Sequence, residues 1–298
     1  MLSAARRLIG LIGQMLDDPG TDIIMATAML ALAGEDRPAV PTGHLPAGMG
    51  DIGARSARVM CVSSARGRGS TSTVFTMSKA VVELSHPISD GMLTYPGLPG
   101  PRVTTHIARD RSALIDMTYE IARMDTVGNT GTYINAPFHY HADGADIAEL
   151  PLERVFNVPI VMIRAARIRV VGPDVLGDPA RLWGKAVLVH TGWSARWGSS
   201  AYRGPGHPFL VGEVADALVA ANVALVGIDS LDIDDTSLPT RPCHHTLLGA
   251  GIPIIEQMTN LDAVPDTGAS LVALPAPVHR MGSFPLRVVA WTAASIFG

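Results

Sequence analysis

The chain has 298 residues, 47% of them hydrophobic and 17% charged, with a formal net charge of -4 and a pI near 6.2. That length and apolar content can fill one large core or two small ones. The faintly acidic balance excludes the basic footprint of a nucleic-acid or anionic-membrane binder and leaves a small neutral or anionic metabolite as the expected partner. The two cysteines, Cys61 and Cys243, are too few for a disulfide framework and fit a reducing compartment, so a cytoplasmic location is expected.

Residues 1–76 differ from the rest. They contain no Lys, Trp or Tyr, and Phe75 is their sole Phe, Tyr or Trp, so they hold little to pack with. Ser3 to Leu16 and Asp22 to Leu32 carry helical apolar spacing, separated by Asp17, Asp18, Pro19 and Gly20. Neither is long enough to span a bilayer, and the early acidic pair spoils a signal-peptide pattern. From Arg37 to Thr76, Gly, Ala, Arg, Ser and Thr recur without period, the composition of disorder or linker. A disordered or over-extended segment over 1–76 and a single domain over 77–298 are therefore expected, with Met77 as an alternative start.

Beyond Met77 the pattern mixes strands and helices without an internal repeat. Ala80 to Leu84, Ile160 to Ile163, Ala186 to His190, Val223 to Ile228 and Ser270 to Leu274 are short Val/Ile/Leu-rich runs of the kind that form buried strands. Val211 to Ala221 has amphipathic helical spacing and leads into Val223. Trp193 and Trp197 follow the His190 strand, and with Tyr202 and Phe209 they either line a pocket for a planar substrate or pack as ordinary core.

Between Gly128 and Gly144 the chain reads GNTGTYINAPFHYHADG. This frame resembles the HxGTHxDAPxH signature of the cyclase superfamily, which includes kynurenine formamidase (arylformamidase) and isatin hydrolase. Gly131, Thr132, Ala136, Pro137 and His139 match it as they stand. Further matches are SHPISDGMLTYPGLP from Ser85, HTGWS from His190, LVGIDSLDID from Leu225, HHTLLGAGIPIIEQMTNLD from His244 and GSFPLR from Gly282. The resemblance implies an α/β fold, a mixed barrel-like β-sheet with flanking helices of the swivelling β/β/α type. It also implies homodimers or homotetramers and a divalent metal, zinc or manganese, with His244 and Glu256 as carried-over ligand positions. The family's two early histidines and aspartate are replaced here by Asn129, Tyr133 and Asn135.

That replacement changes the expected chemistry. An amide oxygen is a weak neutral ligand, and a phenol must lose a proton of pKa about 10 before it binds an ion. No metal is therefore expected; if one were present, His139, His244 and Glu256 are the candidate ligands, with His141, Asp143 and His245 as further donors. Without it, His139 is the candidate base, Glu256 or His244 orients it or the water, and Tyr133, Asn129 and Asn135 supply neutral hydrogen bonds where the metal polarised the substrate oxygen. Tyr133, His139, His244 and Glu256 form the candidate catalytic set, and Asn129, Asn135, Trp193 and Arg287 the candidate substrate contacts. Asp229, Asp232, Asp234 and Asp235 lack the Gly and Glu of a calcium loop, so turn or capping roles are expected. The reading is an enzyme acting on an amide, lactam or lactone carbonyl or an enolisable ring. A binding protein that has lost catalysis is the alternative.

Overall fold

The apolar runs at 160–163, 186–190 and 225–228 form strands whose alternate side chains each have a separate apolar layer to enter. The computed structural model describes residues 81–109 and 119–292, so the expectations for 1–76 and for a domain start at Met77 lie outside the described residues. The strands are β1 (Val81–Glu83), β2 (Arg102–Ile107), β3 (Ile121–Asp125), β4 (Tyr133–Asn135), β5 (Phe156–Arg164), β6 (Val170–Val171), β7 (Ala186–His190), β8 (Phe209–Leu210), β9 (Leu225–Ile228), β10 (Ile254–Glu256), β11 (Ala269–Pro275) and β12 (Ser283–Thr292). The main sheet runs β1-β12-β11-β5-β7-β9-β10-β4, and β4 also pairs with β12. The sheet thereby closes into a ring, with β1 attached outside it. Strands β5, β7, β9 and β10 are parallel, while β4, β11 and β12 join antiparallel.

Period-two alternation sorts the side chains of the parallel strands between two cores. Ile160, Met162, Leu188, Leu225 and Ile255 enter the ring with Leu271 and Val288. Their neighbours Val161, Ile163, Val187, Val189, Val226, Ile228 and Ile254 face outward onto helices α1 (Gly212–Ala220) and α2 (Pro242–Gly249) through Leu218, Leu247 and Leu248. Both faces are covered, which is why these strands read as continuous apolar runs. Truncating Leu188, fully buried at the ring's centre, to Ala costs about 2–5 kcal/mol.

Helix α1 falls within the predicted Val211 to Ala221. Helix α2 was not anticipated: Pro242 starts it at the first helical position, where a missing N–H costs nothing, and the Asp234 carboxylate accepts from the backbone N–H of Cys243 (2.8 Å) and His244 (3.0 Å). Among the described residues, strands β2 and β3 pair only with each other and are exposed along nearly their whole length, including Val103, Ile121 and Met124. No helix among the described residues is long and apolar enough to cross a membrane.

Candidate active site

The β4–β10 register builds the first half of the site. Glu256 lies opposite Tyr133 and Ile254 opposite Asn135; in an antiparallel pair, facing residues point to one side, so Tyr133, Asn135 and Glu256 share a face. All three are buried. The second half comes from the carboxyl ends of the parallel strands, where open α/β sheets commonly hold ligands. The segment after β9 contributes Asp232 and Asp234, and the first turn of α2 contributes His244. On the other side of β4, the chain makes a 3₁₀ turn at Pro137–His139. Gly282 packs against that turn so closely that a Cβ there would lie 2.6 Å from the His139 Cα, and only glycine permits the approach.

The buried groups form one network. The Asn135 amide donates to Glu256 Oε2 at 2.9 Å, and the backbone N–H of Ile233 donates to Glu256 Oε1 at 2.6 Å. His244 Nδ1 sits 2.7 Å from Asp234 Oδ2, and its Nε2 lies 3.6 Å from Glu256 Oε2. Tyr95 donates its hydroxyl to Asp232 Oδ2 at 2.7 Å, with the Arg241 guanidinium 4.0 Å from the same oxygen. Tyr140 stacks on the His244 ring at 4.9 Å.

Charge balance sets the protonation states. Burial pulls the His244 pKa down, but Glu256, Asp234 and Asp232 outweigh it and raise it from 6.5 to about 10, so the ring is an imidazolium at neutral pH. Burial raises Glu256, and the His244 charge and the Ile233 N–H reverse this, leaving it below its ordinary value and ionised. Burial and the Glu256 charge raise Asp232 from 3.8 to about 6. His139 moves the other way: burial, then the His244 charge, lower its pKa. The residue is exposed to solvent on its outer side. The rings of His139 and His244 are 6.1 Å apart.

Two buried polar oxygens remain unspent. Asn135 Oδ1 has no partner, and neither has the Tyr133 hydroxyl. Glu256 and Asn129 lie near enough to the Tyr133 hydroxyl to act on its titration as hydrogen-bond partners, but among the described residues neither contact has hydrogen-bond geometry. Burial first, then Glu256 and Asp232, push its pKa well above 10, which makes it a neutral donor.

Of the residues singled out in the sequence, Tyr133, Asn135, His244 and Glu256 meet in this network, and His139 stands beside it without a side-chain hydrogen bond to Glu256 or His244. Asn129 lies at its edge, accepting from the Ser283 hydroxyl at 2.9 Å. Two substrate-contact assignments require correction. Arg287 lies on β12 two residues past Pro285, the last of its residues paired with β4, and there it is exposed and paired with Glu83 at 2.6 Å. Trp193 is spent on structure: its indole donates to the Tyr202 carbonyl at 2.8 Å, with Arg196 over its ring at 4.2 Å. The further donors also fall outside: Asp143 and His245 are exposed, and His141 Nε2 lies 3.2 Å from the His245 carbonyl. The Cys243 thiol is buried, with burial and Asp234 raising its pKa, which removes it as a nucleophile.

Sequence reading gave Asp232 and Asp234 turn or capping roles, which Asp234 fills at the start of α2 and Asp232 at the Asp234 N–H, but missed their place in the site together with Tyr95 and Tyr140. The available signal was the alternation in LDID, which puts both aspartates on one side of an extended segment.

Whether these groups fit a divalent ion can be judged from the donors. Half a shell is well formed: Asp234 orients His244 as a carboxylate orients a metal-binding imidazole, and Glu256 faces the ring. The other half offers only the amides of Asn129 and Asn135 and a neutral phenol, and the Asn135 amide itself bridges toward Glu256 and His244. Asp232, Asp234 and His244 do cluster, but Asp234 is committed to α2 and Asp232 to Tyr95 and the Asp234 N–H. This set does not fit a tightly held zinc or manganese.

A closed mixed ring with a polar shell at the end of its parallel strands defines a recognisable class. The family model described as "Putative cyclase" matches residues 82–235, and the chain belongs to that family. It is 26% identical over 208 residues to kynurenine formamidase of Bacillus cytotoxicus, covering 70% of this chain and 95% of that protein. It is also similar to isatin hydrolase A of Labrenzia aggregata, solved with benzyl benzoate, at 25% identity and a TM-score of 0.64 over 72% of this chain and 94% of that one. A structure titled a potential metal-dependent hydrolase with cyclase activity aligns at 26% identity and a TM-score of 0.60, over 73% of this chain and all (100%) of that one.

Proposed function

We propose that this cyclase-family enzyme is an arylformamidase-like hydrolase that opens a C–N bond of an amide or lactam, or the corresponding lactone C–O bond, by histidine acid/base chemistry without a bound metal. The observation that carries the reading is the pair of histidine rings 6.1 Å apart, beside a buried, unpartnered Tyr133 hydroxyl. Environments that drive two titratable groups in opposite directions assign the base and the acid. Neutral His139 takes a proton from water as its oxygen bonds to the carbonyl carbon. Tyr133 donates a hydrogen bond to the oxygen that gains charge. The His244 imidazolium, held by Asp234 and Glu256, supplies the proton to the leaving nitrogen or oxygen as that bond breaks. The similarity to a kynurenine formamidase supports an aryl formamide as the first substrate to try, with the tryptophan catabolism that such a substrate implies. The buried, unpaired Cys243 is in keeping with a reducing, cytoplasmic location.

A homodimer or homotetramer is part of the same proposal, supported by the exposed apolar side chains of the β2–β3 ribbon, which a second copy would cover. The test of the chemistry is turnover of N-formylkynurenine, isatin and simple lactones by wild type and His139→Ala, with EDTA present and absent. Loss of about 10²–10⁴ in kcat/KM in the variant, with EDTA silent, is expected. Wild-type turnover by the variant would remove His139 as the base, and loss of activity in EDTA would remove the metal-free mechanism.

A further inference from the structure

Beside the polar shell lies a cavity of about 370 Å³, walled by Met92, Leu93, Trp197, Tyr202, Arg203 and Gln257 among others. It adjoins the shell along the chain: Gln257 follows Glu256, and Thr94, also in its wall, precedes Tyr95. One wall is a fixed aromatic plate. The Trp197 ring lies parallel to His86 at 3.7 Å, with Tyr202 edge-on at 5.0 Å. Tyr202 contributes no charge, since burial first, then Asp229, push its pKa well above 10.

Among the described residues, Arg203 is the only charged one lining the cavity. Its Nε is buried without a hydrogen-bond partner, and among the described residues it has no ion pair. Other arginines around the fold are committed: Arg154 and Arg164 bond backbone carbonyls, Arg241 lies near Asp232, and Arg287 pairs with Glu83. A guanidinium nitrogen out of water and unpaired is costly unless a ligand completes it, and its planar fork suits a carboxylate.

We propose that this cavity selects a flat aryl group bearing a carboxylate, with the ring against Trp197 and Met92 and the carboxylate on Arg203. This rests on the hydrolase reading for placing the scissile carbonyl at the shell, and it makes Arg203 the residue that determines specificity for anionic substrates.

Benzoate and benzamide, matched in size and differing in charge, test it by titration calorimetry on the full chain, with wild type, Arg203→Gln and Arg203→Lys. Benzoate should bind wild type about ten- to a hundredfold more tightly than benzamide. Arg203→Gln should abolish that preference by weakening benzoate far more than benzamide, whose retained binding also reports an intact cavity. Arg203→Lys should retain part of it. Equal affinity of wild type for the two ligands, or undiminished benzoate binding by Arg203→Gln, overturns the assignment. Should the Gln variant fail to fold, the Lys variant decides, because full benzoate affinity there shows that the guanidinium fork is not used. Charge preference without turnover of any carbonyl substrate sinks the hydrolase reading and leaves this one standing; turnover without charge preference does the reverse.

Discussion

The shell around Glu256 and the cavity beside Trp197 share a boundary yet treat their polar groups in opposite ways. In the shell, charges of both signs are buried together: His244 against Asp234 and Glu256, Asp232 against Tyr95 and Arg241. In the cavity, one guanidinium faces aromatic and thioether surface with no counter-charge. The shell's charges compensate one another and leave the Tyr133 hydroxyl and Asn135 Oδ1 for a ligand; the cavity's charge has no such compensation among the described residues. Burying a charge requires compensation from inside the protein or from what binds. The shell thus reads as machinery set in advance, and the cavity as the part that chooses what the machinery acts on.

The largest expected effect comes from breaking the shell's balance. Glu256→Ala leaves the His244 imidazolium short of its main counter-charge, and removing one partner of a buried pair costs about 3–5 kcal/mol; denaturant unfolding of the variant measures it, and wild-type stability would show that the network is not charged as described. Restoring the family's ligands is the next test. Asn129→His, Tyr133→His and Asn135→Asp together should confer stoichiometric, chelator-removable zinc seen by elemental analysis, while the wild type purified without a metal-affinity tag holds none. Stoichiometric zinc in the wild type would show that half a shell suffices.

Smaller effects follow from pH. The folded-state pKa of His244, about 10, exceeds its ordinary 6.5, so its stabilisation is fully present below 6.5 and lost as pH rises through 10. The melting temperature should fall over that interval, and a flat profile would place the proton elsewhere. His139 is shifted downward and stays an unprotonated base into mildly acidic solution, so the acid limb of kcat/KM should fall below pH 6.5. The smallest effect belongs to Arg287→Ala: exposed ion pairs contribute about 0–1 kcal/mol, and neither Tm nor turnover should change appreciably.

Much of the scaffold was legible. The runs at 160–163 and 186–190 lie within β5 and β7, because strands buried on both faces leave an unmistakable apolar stretch, and the run at 270–274 lies within β11, whose Leu271 and Ala273 enter the inner core. Strands β4 and β10 were not read from their residues: at three residues each, carrying Tyr, Asn and Glu, they have neither length nor alternation to announce them. Helix α2 escaped for a related reason, since its start depends on Pro242 and on a carboxylate from eight residues earlier.

The motif residues were likewise visible in GNTGTYINAPFH and in His244 and Glu256, because a local frame survives substitution of the side chains it carries. Sequence alone determined the family frame and the replacement of three ligand positions, and with it the expectation of a weak metal shell. It could not determine which donors converge. Register across β4 and β10 put Tyr133, Asn135 and Glu256 on one face, β12 carried Arg287 past its pairing with β4 into solvent, and the loop after β7 brought Arg203 to the cavity. Those outcomes depend on pairing between strands more than 100 residues apart, such as β4 with β10, and no local pattern encodes which charges will meet once water has been excluded.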